Sequence, residues 1–284
     1  MGWLPNYSNP IFGLGELAET LEEVMRLPEW ARRRWLRNQD GRKRGKFIYR
    51  YQDFDPRNSL SMRKADDLIV ESKLYLPSPS SFNDPYEFQA RLILDSDPVK
   101  RRAHFRKTGK KLKLKGKDLE VRLRELMRRS NDDPYAMDKV LEQTKEHWGI
   151  ACFSLNPRLL RMWSHYASGH SGIGLQFDAA KDVGFAIQTL EVNYQPEVAT
   201  LHWPAEQDRI LDDVLLRKWD AWKDEEEVRY TSKMIVNAHL PLSPAFLSGI
   251  ILGNRFPDSS MPTLNDFLRR REVSRLSLNP TLPR

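Results

Sequence analysis

Apolar positions Leu14, Leu17, Leu21, Val24 and Met25 recur at helical spacing and stop before Pro28, which predicts an amphipathic helix, and residues 30–36 suit a second. Residues 46–52 alternate instead. Phe47, Tyr49 and Tyr51 fall on one face, Ile48, Arg50 and Gln52 on the other, and a strand is expected. Asn58 or Ser59 can cap a helix whose apolar positions are Leu60, Met62, Ala65, Leu68 and Ile69. A short strand over 73–76 follows, then Pro77, Pro79 and a serine run that force a loop carrying Phe82-Asn83-Asp84-Pro85-Tyr86-Glu87. Residues 96–117, rich in charge and poor in apolar side chains, are expected to form an exposed excursion ahead of helices at 118–129 and 134–148. Leu119, Leu123, Leu126 and Met127 mark the buried stripe of the first of these. Beyond them the pattern predicts a buried strand at 149–155, a helix at 158–167, strands at 172–177 and 189–194, and a helix at 205–219. Strands at 226–232 and 248–253 and a helix from Thr263 to Arg270 complete it. The expected fold is α+β, with mixed central sheets and flanking helices. It is divided into an N-terminal helical extension (1–45) and a single domain (46–284) with a basic insertion near 96–117.

Charge sharpens that division. Residues 31–46 and 100–117 carry +7 and +10, so the rest of a chain with net charge +7 is itself at −10. Basic blocks of this kind bind polyanions by counterion release or stand as solvated loops, and only Trp35 and Phe105 interleave them with large aromatics. Cys152 is the single cysteine, which excludes an intramolecular disulfide and a cysteine metal site. No apolar run approaches the roughly 18 residues of a membrane span, no signal-peptide pattern opens the chain, and Asn6 spoils a myristoylation start after Met1-Gly2. The expected compartment is cytoplasmic, with no membrane partner.

Four separated segments carry candidate chemistry: Tyr51, Asn83 to Glu87, Ser154 to His170, and Glu225 to Arg229. If 225–229 is a strand, Glu225, Glu227 and Arg229 share a face and Glu226 opposes them, a row suited to stabilising charge or to an ion-pair ladder on an edge strand. Met162, Trp163 and Tyr166 cluster on one short helix that ends at Gly169, a spacing equally at home in a core. His165 and His170 are spaced wrongly for one helical face and have no third ligand nearby, so no metal site is expected. The chain has no Walker loop, no glycine-rich dinucleotide fingerprint and no Gly-x-Ser-x-Gly elbow.

In order and wording, these segments resemble a bacterial family catalogued as domain of unknown function 2971. The shared phrases are Ile48-Tyr49-Arg50-Tyr51, the Phe-Asn-Asp-Pro-x-Glu loop, Cys152-Phe153-Ser154, Met162-Trp163-Ser164-His165-Tyr166, and His170-x-Gly172-Ile173. Val192-x-Tyr194 and Lys218-x-x-x-Trp222-x-x-Glu225-x-Glu227-x-Arg229 complete the match, which spans about residues 46–255. The layout is in turn similar to that of ADP-ribosyltransferases that consume NAD as substrate. By that resemblance Glu227 would be the catalytic carboxylate, supported by Glu225 and Tyr51. Arg50, Asn83, Ser154, Trp163, Tyr166 and Arg229 would bind the cofactor. The family layout often has a histidine on the first strand; here Arg50 or Tyr51 would replace it. The resemblance further implies a toxin or anti-phage effector acting on a nucleic-acid or protein acceptor and held by a neutralising partner. Two other classes fit the residues: a non-catalytic polyanion-binding module, and a metal-dependent nuclease using Asp84, Glu87, Glu225 and Glu227.

Overall fold

The structure, a computed structural model, describes residues 23–24, 26–28, 31–32, 46–82, 84, 86–111, 113–132, 136–203, 206, 209–233, 235–271 and 277–279. The expected N-terminal helices and Asn83 therefore lie largely or wholly outside the described residues. In chain order the strands are β1 Phe47–Gln52, β2 Lys73–Leu76, β3 Ala90–Leu94, β4 Gly149–Ser154, β5 Ile173–Asp178, β6 Thr189–Glu191 and β7 Asn193–Gln195. They continue as β8 Ala199–Trp203, β9 Arg217–Trp219, β10 Glu227–Ser232, β11 Ala238–Pro241, β12 Leu247–Leu252 and β13 Ser277–Asn279. The helices are α1 Ser59–Ile69, α2 Pro98–Lys111, α3 Gly116–Asp132, α4 Ala136–Lys145, α5 Leu160–Tyr166, α6 Val183–Gln188 and α7 Met261–Arg270.

The chain divides into two compact units, Met1–Pro77 with Gly149–Glu191 and Lys223–Arg284, and Ser78–Trp148 with Val192–Trp222. The first holds a seven-stranded sheet in the order β13-β12-β5-β1-β4-β10-β6, antiparallel except for β12 and β13. Strand alternation gives this sheet two different faces. Ile48, Phe153, Leu175, Phe177, Val228, Tyr230 and Ile250 point to one face, where Ala65, Leu68 and Ile69 of α1 and Leu264 and Phe267 of α7 complete the main core. Tyr49, Tyr51 and Ile251 point to the other and pack with Met162 and Trp163 of α5. The Asn58 cap forms as expected, its side chain accepting from the Leu60 and Ser61 amides. Ile150 N donates to the Pro77 carbonyl at 2.9 Å, so the first unit closes up where its chain breaks off at 77 and resumes at 149.

The second unit pairs β3 with β8 and β7 with β9, both parallel, and packs α2 against α3. Here two expectations are refined. Residues 96–117 are largely exposed, but 98–111 is itself a helix, α2, because lysine and arginine are good helix formers and Gly109 lets the helix sit close on Leu119. Among the described residues of 205–219, the helical turns run from Arg209 to Leu215, and Arg217–Trp219 instead pairs with β7 as β9. Tertiary pairing there overrides a helical pattern. The expected strand at 189–194 is broken between β6 and β7, which belong to different units, and Thr263 lies inside α7, which opens at Met261. In α3, Leu119 and Leu123 are buried while Leu126 and Met127 are half-buried.

Among the described residues, no helix is long and apolar enough to cross a membrane.

Candidate active site

One row across the second face of the sheet reads Gln176 on β5, Tyr49 on β1, Ser154 on β4 and Glu227 on β10. Tyr51 and Arg229 project from the same face one step along their strands. Tyr51, Ser154 and Glu227 thus share one face of the sheet by register, and Trp163 of α5 packs with Tyr51 on that face. Arg50 does not join them. Its side chain lies on the main-core face, donating to the Cys152 carbonyl at 3.2 Å and standing 5.7 Å from the Phe153 ring, and burial lowers its pKa.

The residues after β4 fold back over this face. Ser154 Oγ donates to the Glu225 carbonyl at 2.8 Å and accepts from the Asn156 amide at 3.2 Å, which ties β4 to the approach to β10. Tyr51 donates its hydroxyl to the Asn156 carbonyl at 2.6 Å. Trp163 donates Nε1 to the Pro157 carbonyl at 2.9 Å and meets the Tyr51 ring edge-on at 5.1 Å. Trp163 is fully buried and supports Tyr51, while Tyr166, one turn on, is 43% exposed. Gly174, opposite Tyr51, faces the Trp163 ring, which a methyl there would meet in ordinary van der Waals contact at 3.4 Å.

The acidic segment is not one continuous strand. Asp220–Glu225 is a 3₁₀ turn, Glu226 takes φ +46° and β10 starts only at Glu227, so alternation does not relate Glu225 to Glu227. A glutamate held left-handed is strained by about 1 kcal/mol or more, and such strain gathers at functional sites. The outcome still separates the three: Glu226 is exposed and accepts from Asn156 Nδ2 at 3.0 Å, while Glu225 and Glu227 are buried at 1% and 4% exposure. Glu225 accepts from the Tyr166 hydroxyl at 3.2 Å. Glu227 accepts from Arg229 Nε at 2.6 Å, with the guanidinium fully buried.

Asn156 is the residue that pattern reading missed. It bonds Tyr51, Ser154 and Glu226 at once, and in the sequence it is marked only by its place between the predicted strand at 149–155 and Pro157. The second unit holds another pairing between distant motifs. Lys218 Nζ contacts Glu87 at 2.9 Å with both side chains buried, and lies 5.3 Å from the Trp222 ring centre. Asp84 of the same loop accepts from the Tyr86 amide as an Asx turn does. Among the described residues, no group of three or more His, Cys, Asp and Glu side chains is placed to hold a metal ion. Compared with known proteins, the chain matches no family model, no curated protein and no solved structure.

Proposed function

We propose that this chain is an ADP-ribosyltransferase-like enzyme that takes NAD as its substrate and resembles the domain of unknown function 2971 family in its motifs. The observation that supports this most is the burial of Glu227, paired with Arg229 on the face that also carries Tyr51 and Ser154, together with the burial of Glu225 against the Tyr166 hydroxyl. Burying carboxylates costs several kcal/mol per ion before pairing, and apolar side chains of like volume would serve folding as well. Buried acids, one of them tightly paired with an arginine, are therefore candidates for chemistry.

In the proposed reaction the bond between nicotinamide and ribose C1′ breaks, and nicotinamide leaves with the bonding pair. The sugar becomes cationic in the transition state, and Glu227, held in place by Arg229, stabilises it by charge. An acceptor nucleophile then bonds to C1′ and gives up its proton, for which Glu225, reached through the Tyr166 hydroxyl, is the second carboxylate. Tyr166 is the exposed aromatic for the nicotinamide ring, and Tyr51 and Ser154 hold the floor through Asn156. The acceptor is a nucleic acid or a protein, and a toxin or defence role fits such a transfer.

The test is nicotinamide release from NAD by the whole chain, with DNA, RNA or protein offered as acceptor. Glu227→Gln is expected to lower turnover by roughly a hundredfold, about 3 kcal/mol, because it removes the charge. Gln keeps an oxygen for Arg229 Nε, yet truncating a buried pair is destabilising, so thermal melting must accompany the assay. Glu226→Gln, at an exposed site, is expected to change turnover little. No release by the wild-type chain with any acceptor, or equal losses in both variants, would remove the reading.

A further inference from the structure

The helical hairpin α2–α3 presents a dense cationic surface that the transfer chemistry does not use. Residues 98–132 contain fourteen Lys and Arg against four Asp and Glu. Folding sorts these charges. One side of α2 is committed to α3: Gly109 and Arg101 are buried, and a methyl at Gly109 would come 2.4 Å from Leu119 Cδ1. The other side exposes Lys100, Arg102, Arg106, Lys107 and Lys110. Glu120 of α3 is set against them, accepting from Arg102 at 2.8 Å and from Arg106 at 2.6 Å. That contact fixes two guanidiniums in place and neutralises only one of them. Lys100, Lys107 and Lys110 have no acidic partner among the described residues.

We infer that this face of α2 binds the phosphate backbone of a nucleic acid without reading its sequence. From Lys100 to Lys110 the helix advances about 15 Å, which matches roughly four phosphates of one strand at about 3.4 Å of rise each. Ammonium groups spread over that length meet a polyanion with little rearrangement, and released counterions supply the driving force. An anionic membrane fits less well. A helix that lies in a bilayer surface needs an apolar side to insert, and the exposed large apolar residue on α2 is Val99 alone among the described residues. The inference stands without the transferase reading, since binding needs no NAD; if both hold, the nucleic acid is the acceptor.

The experiment titrates the whole chain, without NAD, into labelled duplex DNA, single-stranded DNA and RNA over a salt series. The wild-type chain is expected to bind, with affinity falling as salt rises. Lys100→Gln/Lys107→Gln/Lys110→Gln is expected to flatten the slope of log affinity against log salt by up to about 0.9 per lost phosphate contact on duplex and about 0.7 on single strands. These lysines are exposed, so melting should not move. Arg63→Gln/Lys64→Gln, at exposed cations of the first unit, is expected to leave the slope unchanged. No binding at low salt, a wild-type slope in the triple variant, or binding to anionic vesicles and to none of the nucleic acids would overturn the inference. Nicotinamide release in the same variants is scored separately, so the two proposals fail separately.

Discussion

Tyr51 sits in a place where its phenol resists ionisation. Burial is the main cause and raises its pKa above the ordinary value near 10; burial raises Tyr49 as well, offset in part by Arg158. A neutral group favoured in the fold gives up less of its proton there than in the unfolded chain. Its contribution to stability is therefore complete below about pH 10 and is lost as pH rises beyond the unfolded value. Tyrosinate absorbance should show late-titrating tyrosines in the folded protein, with one fewer in Tyr51→Phe. The same variant leaves the Asn156 carbonyl without its 2.6 Å donor, a loss of about 1 kcal/mol in melting. A normal titration for every tyrosine would contradict the packing around this site. At this scale the sequence marked Tyr51, Ser154 and Glu227 by alternation and wording alone, since a residue's face follows from parity once its strand is known. It did not mark the left-handed Glu226 or the three-way role of Asn156, because both depend on where β4 turns back, a tertiary fact with no periodic signature.

At the scale of elements, the connection after α5 is held by a set of backbone contacts, joined by Ser171 Oγ donating to the Ser168 carbonyl at 2.7 Å. Gly169 N donates to Ser164 O and His170 N to Trp163 O, while Gly253 N and Arg255 N reach Gly172 O and His170 O. Ser168, Gly169 and His170 all take positive φ. A methyl at Gly253 would lie 2.1 Å from the His170 carbonyl oxygen, where neither backbone can yield cheaply, whereas at Gly169, φ +61°, it would meet nothing within 4 Å. Gly253→Ala should therefore cost about 3 kcal/mol or more, and Gly169→Ala about 1 kcal/mol from backbone strain alone. At roughly 2–4 °C per kcal/mol for a chain of this size, melting curves distinguish them; equal small shifts would show that the turn can move. Strands and helices with a clean period were legible, as β1, α1 and β10 show. Segments whose fate is decided by a partner were not: α2 lacks an apolar stripe to announce it, and β9 exists because β7 is there to pair with.

At the scale of the molecule, the α+β class and the central sheet could be expected from the sequence, but the partition into two units could not. Each unit is gathered from separate stretches of chain, and the composition of 78–148 and 192–222 gives no hint that they belong together. Strand order is hidden for the same reason: β1 lies between β4 and β5, although α1, β2 and the helices of the other unit come between them in the chain. This placement sets a timetable for synthesis. Arg50 of β1 and its bonding partner Cys152 on β4 are 102 residues apart. At about 5–20 residues per second, β1 waits some 5–20 s for that neighbour. Throughout this interval both its faces, Phe47, Tyr49 and Tyr51 on one side and Ile48 on the other, stand beside unpaired backbone. A nascent chain in that condition is a template for wrong pairing. Recovery of native protein after dilution from denaturant should accordingly fall as protein concentration rises, and a ribosome-bound chain stopped before β4 should need a chaperone to stay dispersed.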